Sequence, residues 1–259
     1  MGTKKKYFFI DECGDPEFYG KRKKLLVGQP GYHPLLIMGM MRTHKRRDLR
    51  KKVLAFQKSI LDDPMYNSIP SLNKGDKWYL HAKDDHPEVR AKFFEFLRSI
   101  NGFKIYIVIG RKNLDLFNKK HNNKASEFYF DLIHHLLKKR IYKEGIDHRI
   151  YLAHREKTTL DKFKEAIDQA IKKQGEDKNL TYQYDIVKSK EYPEMSVADY
   201  MIWALQRYIT KGECRFFYAL QDKFSLIIDL YDFDNFEDMK NYYWRGNPFS
   251  LEKASEFKL

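Results

Sequence analysis

An α/β fold, with a mixed sheet flanked by helices, is predicted by three observations. Two apolar runs, Tyr7–Ile10 and Pro34–Met41, stand near the start of the chain and are joined by a long connection containing Gly and Pro. From Phe103 onward, short strand-like runs alternate with helix-like stripes. The 259 residues are 42% hydrophobic and 15% aromatic, enough to fill such a core without staples. Strands first and alternation afterwards describe a sheet with antiparallel and parallel pairs, covered on both faces.

Tyr7, Phe8, Phe9 and Ile10 suit a covered strand, which Asp11, Glu12 and Gly14 must end because charge cannot continue into a core. Pro34–Met41 reads as a second strand, antiparallel to the first. Leu49, Val53, Phe56 and Ile60 recur at helical spacing and give a helix ending before Asp62-Asp63-Pro64. Residues 62–86 read as irregular around Trp78-Tyr79-Leu80, and Val89, Phe93, Phe96, Leu97 and Ile100 carry a second helix closed by Asn101-Gly102. Phe103–Ile109 is the third strand, followed by a regular helical stripe from Ala125 through Phe128, Leu132 and Leu136 to Leu137. Arg149–Ala153 is the fourth. Leu160, Phe163, Ile167, Ala170 and Ile171 mark the next helix, with Thr158 and Asp161 as its capping box. Tyr182–Lys188, polar and alternating, reads as an edge strand, and a helix spans Ser196–Ile209. Beyond Gly212 the order weakens, through an apolar Phe224–Leu230 to a tail of acids and aromatics. No repeat or long linker divides the chain. One domain over 1–259 is expected, with an insertion at about 44–101 and a C-terminal extension at about 212–259.

Cys13 and Cys214 lie far apart and form no Cys-x-x-Cys pair, so neither a disulfide framework nor a structural zinc site is suggested and a reducing cytoplasm fits best. The absence of an 18-residue apolar stretch and of a leader-like hydrophobic region leads to the expectation of a soluble, unexported protein with no membrane partner. The formal net charge is +13, concentrated in runs such as Lys21-Arg22-Lys23-Lys24, Lys45-Arg46-Arg47 and Lys138-Lys139-Arg140. Nucleic acid, DNA or RNA, is the partner such charge suits, without sequence specificity. Lys45, Arg46, Arg47 and Lys51 on the basic helix are candidate phosphate contacts, joined by His81, Lys83 and Arg155.

Carboxylates at a strand's carboxyl edge stand where open α/β sheets collect ligands, and hard oxygen donors there suit Mg²⁺ or Mn²⁺. Phe9-Ile10-Asp11-Glu12-Cys13-Gly14-Asp15 resembles the Asp-Glu-Ser-Gly-Asp opening of the family known as domain of unknown function 3800, with Cys13 in place of serine. Ser196-Val197-Ala198-Asp199 and the following Tyr200–Arg207 are similar to that family's Val-Ala-Asp helix. The His81-Ala82 step, and Asn241-Tyr242-Tyr243 near Asn247-Pro248-Phe249, also look similar. The family is regarded as ribonuclease H-like. The order of elements, apart from the helices between the second and third strands, is the layout of that fold. The resemblance implies a metal-dependent nuclease hydrolysing phosphodiester bonds.

Such chemistry needs carboxylates from several elements to converge on one or two ions. Asp11 is the candidate bridging ligand. Glu12, by strand alternation, points to the opposite side unless the chain turns at once. Asp15 either turns back beyond Gly14 or merely precedes Pro16 in a turn. Asp199 is a ligand candidate or, with Ser196, a capping residue, and Glu194 is its possible companion in the metal shell. Glu127 falls opposite its helix's apolar stripe, towards solvent. The fourth strand ends in His154 rather than in the expected acid, followed by Arg155 and Glu156; His154 could be a ligand, a proton shuttle or a phosphate contact. His81 is a candidate general base or phosphate ligand. Cys13 lies among acids, which raise a thiol's pKa and argue against a nucleophile. The rival readings are a catalytically inactive nucleic-acid-binding protein of the same fold, and aspartyl-phosphate chemistry, for which Cys13 stands where a second Asp is wanted.

Overall fold

Strands β1 (Lys4–Cys13), β2 (Leu35–Thr43), β3 (Phe103–Arg111), β4 (Ile146–Ala153), β5 (Thr181–Val187), β6 (Phe224–Asp229) and β7 (Tyr242–Tyr243) join in one sheet of order β5-β4-β1-β2-β3-β6-β7. The computed structural model describes residues 4–73, 77–141, 145–154, 164–165, 168–170, 172 and 181–257. β2 is antiparallel to β1 and β3, whereas β1–β4, β4–β5 and β3–β6 are parallel. The 5-4-1-2-3 part is the ribonuclease H-like mixed sheet that the sequence predicts. Helices α1 (Arg46–Leu61) and α2 (Pro87–Ser99) form the helical insertion between β2 and β3. The expected helix over Leu160–Ile171 and its Thr158–Asp161 capping box lie largely outside the described residues.

Alternation along β1 sends Phe8 and Ile10 to one face of the sheet and Phe9 to the other. On the first face, Met38, Met40, Val108, Ile150 and Leu152 pack under α4 (Ala125–Leu137), whose Phe128, Leu132 and Leu136 are fully buried. On the second, Ile37, Met41, Ile105 and Ile107 pack under α1, α2 and α5 (Met195–Lys211). α5 ends where Gly212 adopts φ +67, the left-handed conformation that glycine takes without penalty.

Three elements were not foreseen in the sequence. The apolar Phe224–Leu230 run holds β6, which pairs with β3, and Tyr242–Tyr243 supplies the short β7. α3 (Leu114–Lys120) is too short to show periodicity and is set by its cap, Asn113 Oδ1 accepting from Leu116 N at 3.0 Å. No helix of the described residues is long and apolar enough to cross a membrane.

Gly39 decides how closely α5 can approach. It sits on β2 opposite Asp11, and a Cβ there would lie 2.4 Å from Ile202 Cγ1 and 2.9 Å from Ile107 Cδ1. Gly39→Ala is therefore expected to lift α5 off the sheet and to lower stability by about 1–3 kcal/mol, measured by denaturant unfolding.

Candidate functional site

β1 ends at the start of a turn that only glycine fits: Gly14 has φ +92, and a Cβ on it would come within 2.2 Å of the Leu35 carbonyl oxygen. Asp11, the last inward-facing acid before this turn, is half-buried on the α5 side, with Oδ1 accepting from Glu12 N at 2.9 Å. Asp199, on the second turn of α5, is also half-buried, and its Oδ2 accepts from Ala82 N at 2.7 Å. Each carboxylate thus has one oxygen held by the backbone. The other oxygen, Asp11 Oδ2 or Asp199 Oδ1, meets no hydrogen-bond donor among the described residues.

The two acids feel each other. Burial, then the charge of Asp199, pushes Asp11 well above the usual carboxylate range, and the His81 ring acts in the opposite sense. Burial, helped by Asp85 and Asp84 and opposed by the Ala82 N–H, pushes Asp199 up to about 7. Two half-buried carboxylates in mutual repulsion, each with an unfilled oxygen, match a small hard cation, and Mg²⁺ is held by one or two carboxylates with water and phosphate in its remaining positions. Among the described residues no three His, Cys, Asp or Glu side chains are grouped so as to hold a metal ion.

The loop Trp78–His86 places the third wall. Its buried Asp85 accepts from Trp78 Nε1 at 2.9 Å, from His81 N at 2.8 Å and from the Tyr200 hydroxyl. Arg90 Nη1 donates to the Ala82 carbonyl at 2.8 Å, and Ser196 Oγ donates to the Leu80 carbonyl at 2.8 Å. Docked in this way against α5, the loop presents Ala82 N–H to Asp199 and sets His81 Nδ1 3.0 Å from Asp84 Oδ2. Burial and the charges of Asp84, Asp199, Asp11 and Asp85 raise the Tyr79 phenol, which marks it as another neighbour of the acidic pair. Asp84, Asp85 and Tyr79 were missed in the sequence, where they read as loop polarity and a packed aromatic.

An open cleft of about 720 Å³ runs along this edge, lined by Glu12, Asp15, His33, His81, Asp199 and Arg207, with exposed Lys83 beside them. Glu12 lies on the opposite face of β1 from Asp11, as alternation predicts, and accepts from Tyr129 OH of α4 at 2.9 Å. Asp15 folds back on its own turn, accepting from Glu17 N at 3.1 Å, and lies 3.4 Å from Lys112 Nζ. His154 is exposed two residues past Leu152, the last residue of β4 paired with β1, and does not line the cleft. Glu127 is half-buried rather than open to solvent. Arg155 and Glu156 lie outside the described residues.

Three expectations need correction. Glu194 is not placed as a metal ligand: it is fully buried, with Oε1 2.9 Å from Arg46 Nε and Oε2 3.1 Å from Arg50 Nη1. Arg46 in turn has its charge neutralised by buried Glu194, with Nη1 donating to Tyr151 OH at 2.7 Å, and so is spent within the fold rather than offered to phosphate. Ser196 does not pair with Asp199 as a capping box: α5 begins at Met195, one residue before the expected start, and the Ser196 hydroxyl serves Leu80 instead. Glu194→Ala would leave two part-exposed arginines without their shared counter-charge and is expected to destabilise by about 1–3 kcal/mol in denaturant unfolding, with Mn²⁺ affinity unchanged.

Lys45, Arg47 and Lys51 are exposed, but α1 opens at the Tyr7–Thr43 end of the β1–β2 ladder, four residues before Asp11 and so about 13 Å along the strand. They flank the site rather than line it.

No family model matches the chain, and no curated protein matches it. A solved structure of a PCNA:RNase HII complex from Archaeoglobus fulgidus superposes with a TM-score of 0.42 at 12% identity, over 80% of this chain and 78% of that chain.

Proposed function

We propose that this chain is a divalent-metal-dependent nuclease acting on phosphodiester bonds of DNA or RNA. The observation that carries the reading is the pairing of Asp11 and Asp199, two half-buried acids from opposite ends of the sequence that repel each other and each keep one oxygen unfilled. Asp11 and Asp199 would hold Mg²⁺ or Mn²⁺. The ion, when bound, supplies Lewis-acid polarisation of a phosphoryl oxygen and a water acidified for attack. The chain's own residues prepare that chemistry. Ala82 N–H fixes the Asp199 carboxylate, and Gly39, opposite Asp11 on β2, lets α5 pack closely on the sheet beside that acid. His81, whose Nδ1 lies 3.0 Å from Asp84 Oδ2, would move a proton or contact a phosphate oxygen. Lys83 and Arg207 line the cleft, Lys45, Arg47 and Lys51 extend the basic surface, and the net charge of +13 favours a polyanionic substrate. The resemblance of the Asp11–Asp15 and Ser196–Arg207 segments to the domain of unknown function 3800 supports the same reading.

The test is incubation of labelled single- and double-stranded DNA and RNA with the protein in Mn²⁺, in Mg²⁺ and in chelator, alongside Asp199→Asn. Metal-dependent cleavage by the parent, lost in Asp199→Asn, supports the proposal. Equal cleavage by both defeats it. His154 in place of an acid at the end of β4 favours a second reading, a non-catalytic nucleic-acid-binding protein, which salt-sensitive binding without any metal-dependent cleavage would select.

A further inference from the structure

A second cavity, of about 660 Å³, opens on the α4 side of the sheet, the face opposite Asp11 and Asp199. Four cations line it, Arg42 of β2 and Lys138, Lys139 and Arg140 just after α4, and none of its described lining residues is an acid. Arg42 and Arg140 are held on one ring, their guanidinium carbons 5.2 and 5.1 Å from the centre of Tyr106. Arg140 is 8% exposed and donates through Nη1 to the His135 and Lys138 carbonyls. Burial, together with the Arg42 charge, lowers Arg140 to about 10.

Two buried polar atoms of the lining lack a partner among the described residues: Arg140 Nε, a donor, and Asn241 Oδ1, an acceptor. Asn241 is 1% exposed, and its Nδ2 is already committed to the Asp229 carbonyl at 2.9 Å. Orphaned buried groups of this kind are uncommon and destabilising unless a ligand completes them. The cavity's remaining character is apolar, with Phe236 and Met239 58% and 59% exposed among its lining residues. Paired guanidiniums suit a phosphate, an exposed aromatic suits a base, and a lone carbonyl oxygen suits a base amino group.

We propose that this cavity binds a nucleoside phosphate, with Arg42 and Arg140 on the phosphate, Phe236 and Met239 against the base, and Asn241 Oδ1 accepting from its amino group. The ligand is either a free nucleotide or the terminal nucleotide of a strand. The site is independent of the acidic pair across the sheet.

Calorimetric titration of the full chain in chelator, with adenosine monophosphate, inorganic phosphate and adenosine, tests the proposal. Saturable binding of the monophosphate, tighter than of either fragment, is expected. Arg42→Gln should weaken it about tenfold, the loss of one charge-assisted contact. Phe236→Ala, at an exposed position, should weaken the nucleotide several-fold, about one stacking contact, and leave inorganic phosphate unchanged. Lys58→Gln removes an equal charge on exposed α1 and should change nothing, as should Asp11→Asn, which separates this site from the metal reading. Displacement of a bound 5′-phosphorylated oligonucleotide by the mononucleotide identifies a strand end as the source, and saturable mononucleotide binding without such displacement identifies the free nucleotide. No saturable binding by the parent, or equal weakening by Arg42→Gln and Lys58→Gln, overturns the proposal.

Discussion

Asp11→Asn is expected to lower metal-dependent cleavage by at least ~10³-fold, the scale of several kcal/mol of lost charge stabilisation in the transition state. The same variant should leave the metal-free protein as stable as the parent or more so at about pH 8, and the sign follows from linkage. In the unfolded chain both acids titrate near 3.8, whereas in the fold burial and Asp199 hold Asp11 well above that value, and burial holds Asp199 at about 7. Between those limits the folded state binds more protons than the unfolded state. Stability of the metal-free parent therefore falls as pH rises from about 4 to about 7, and a bound cation restores it above that window. Asn at position 11 removes one of the two repelling charges and should flatten the fall. Thermal unfolding across that pH range, with and without Mn²⁺, reads both effects. A metal-free parent that gains stability over the window would contradict them.

Asp85→Ala should be strongly damaging although it lies outside the apolar core. It strands three donors at a buried position, Trp78 Nε1, His81 N and the Tyr200 hydroxyl, and is expected to destabilise by about 3–5 kcal/mol. Asp84→Ala, one residue earlier but exposed, should change stability by less than about 0.5 kcal/mol. The contrast isolates burial from charge. Where Asp85→Ala still folds, its cleavage should fall as well, because the loop that carries Ala82 N–H to Asp199 is no longer latched. Denaturant unfolding and cleavage rates on the pair of variants measure this.

The strand-to-acid transition at Asp11 and the helical stripe around Asp199 were legible because each is a local pattern, alternation in one and periodicity in the other. The opposite orientation of Glu12 followed from the same alternation, which takes it to Tyr129. Legibility failed where partners come from distant segments. Glu194 looked like a companion ligand because its spacing to Asp199 is local, while Arg46 and Arg50, which neutralise it, lie about 150 residues away. Asp85 looked like loop solvation because nothing in Trp78–His86 announces that Tyr200 will close over it. β6 was missed because its strand is short and its partner, β3, precedes it by more than 100 residues. Long-range pairing decides these cases, and it leaves little trace in local composition.

Manganese binding by the full chain, followed by calorimetry or by the spin signal of the free ion, addresses the shared-cation claim without relying on any substrate. The parent should bind Mn²⁺ saturably, Asp11→Asn and Asp199→Asn should each weaken it at least about tenfold, and Glu194→Ala should leave it unchanged. A parent that takes up no Mn²⁺ at millimolar concentration, or variants at positions 11 and 199 that bind as the parent does, would contradict the account.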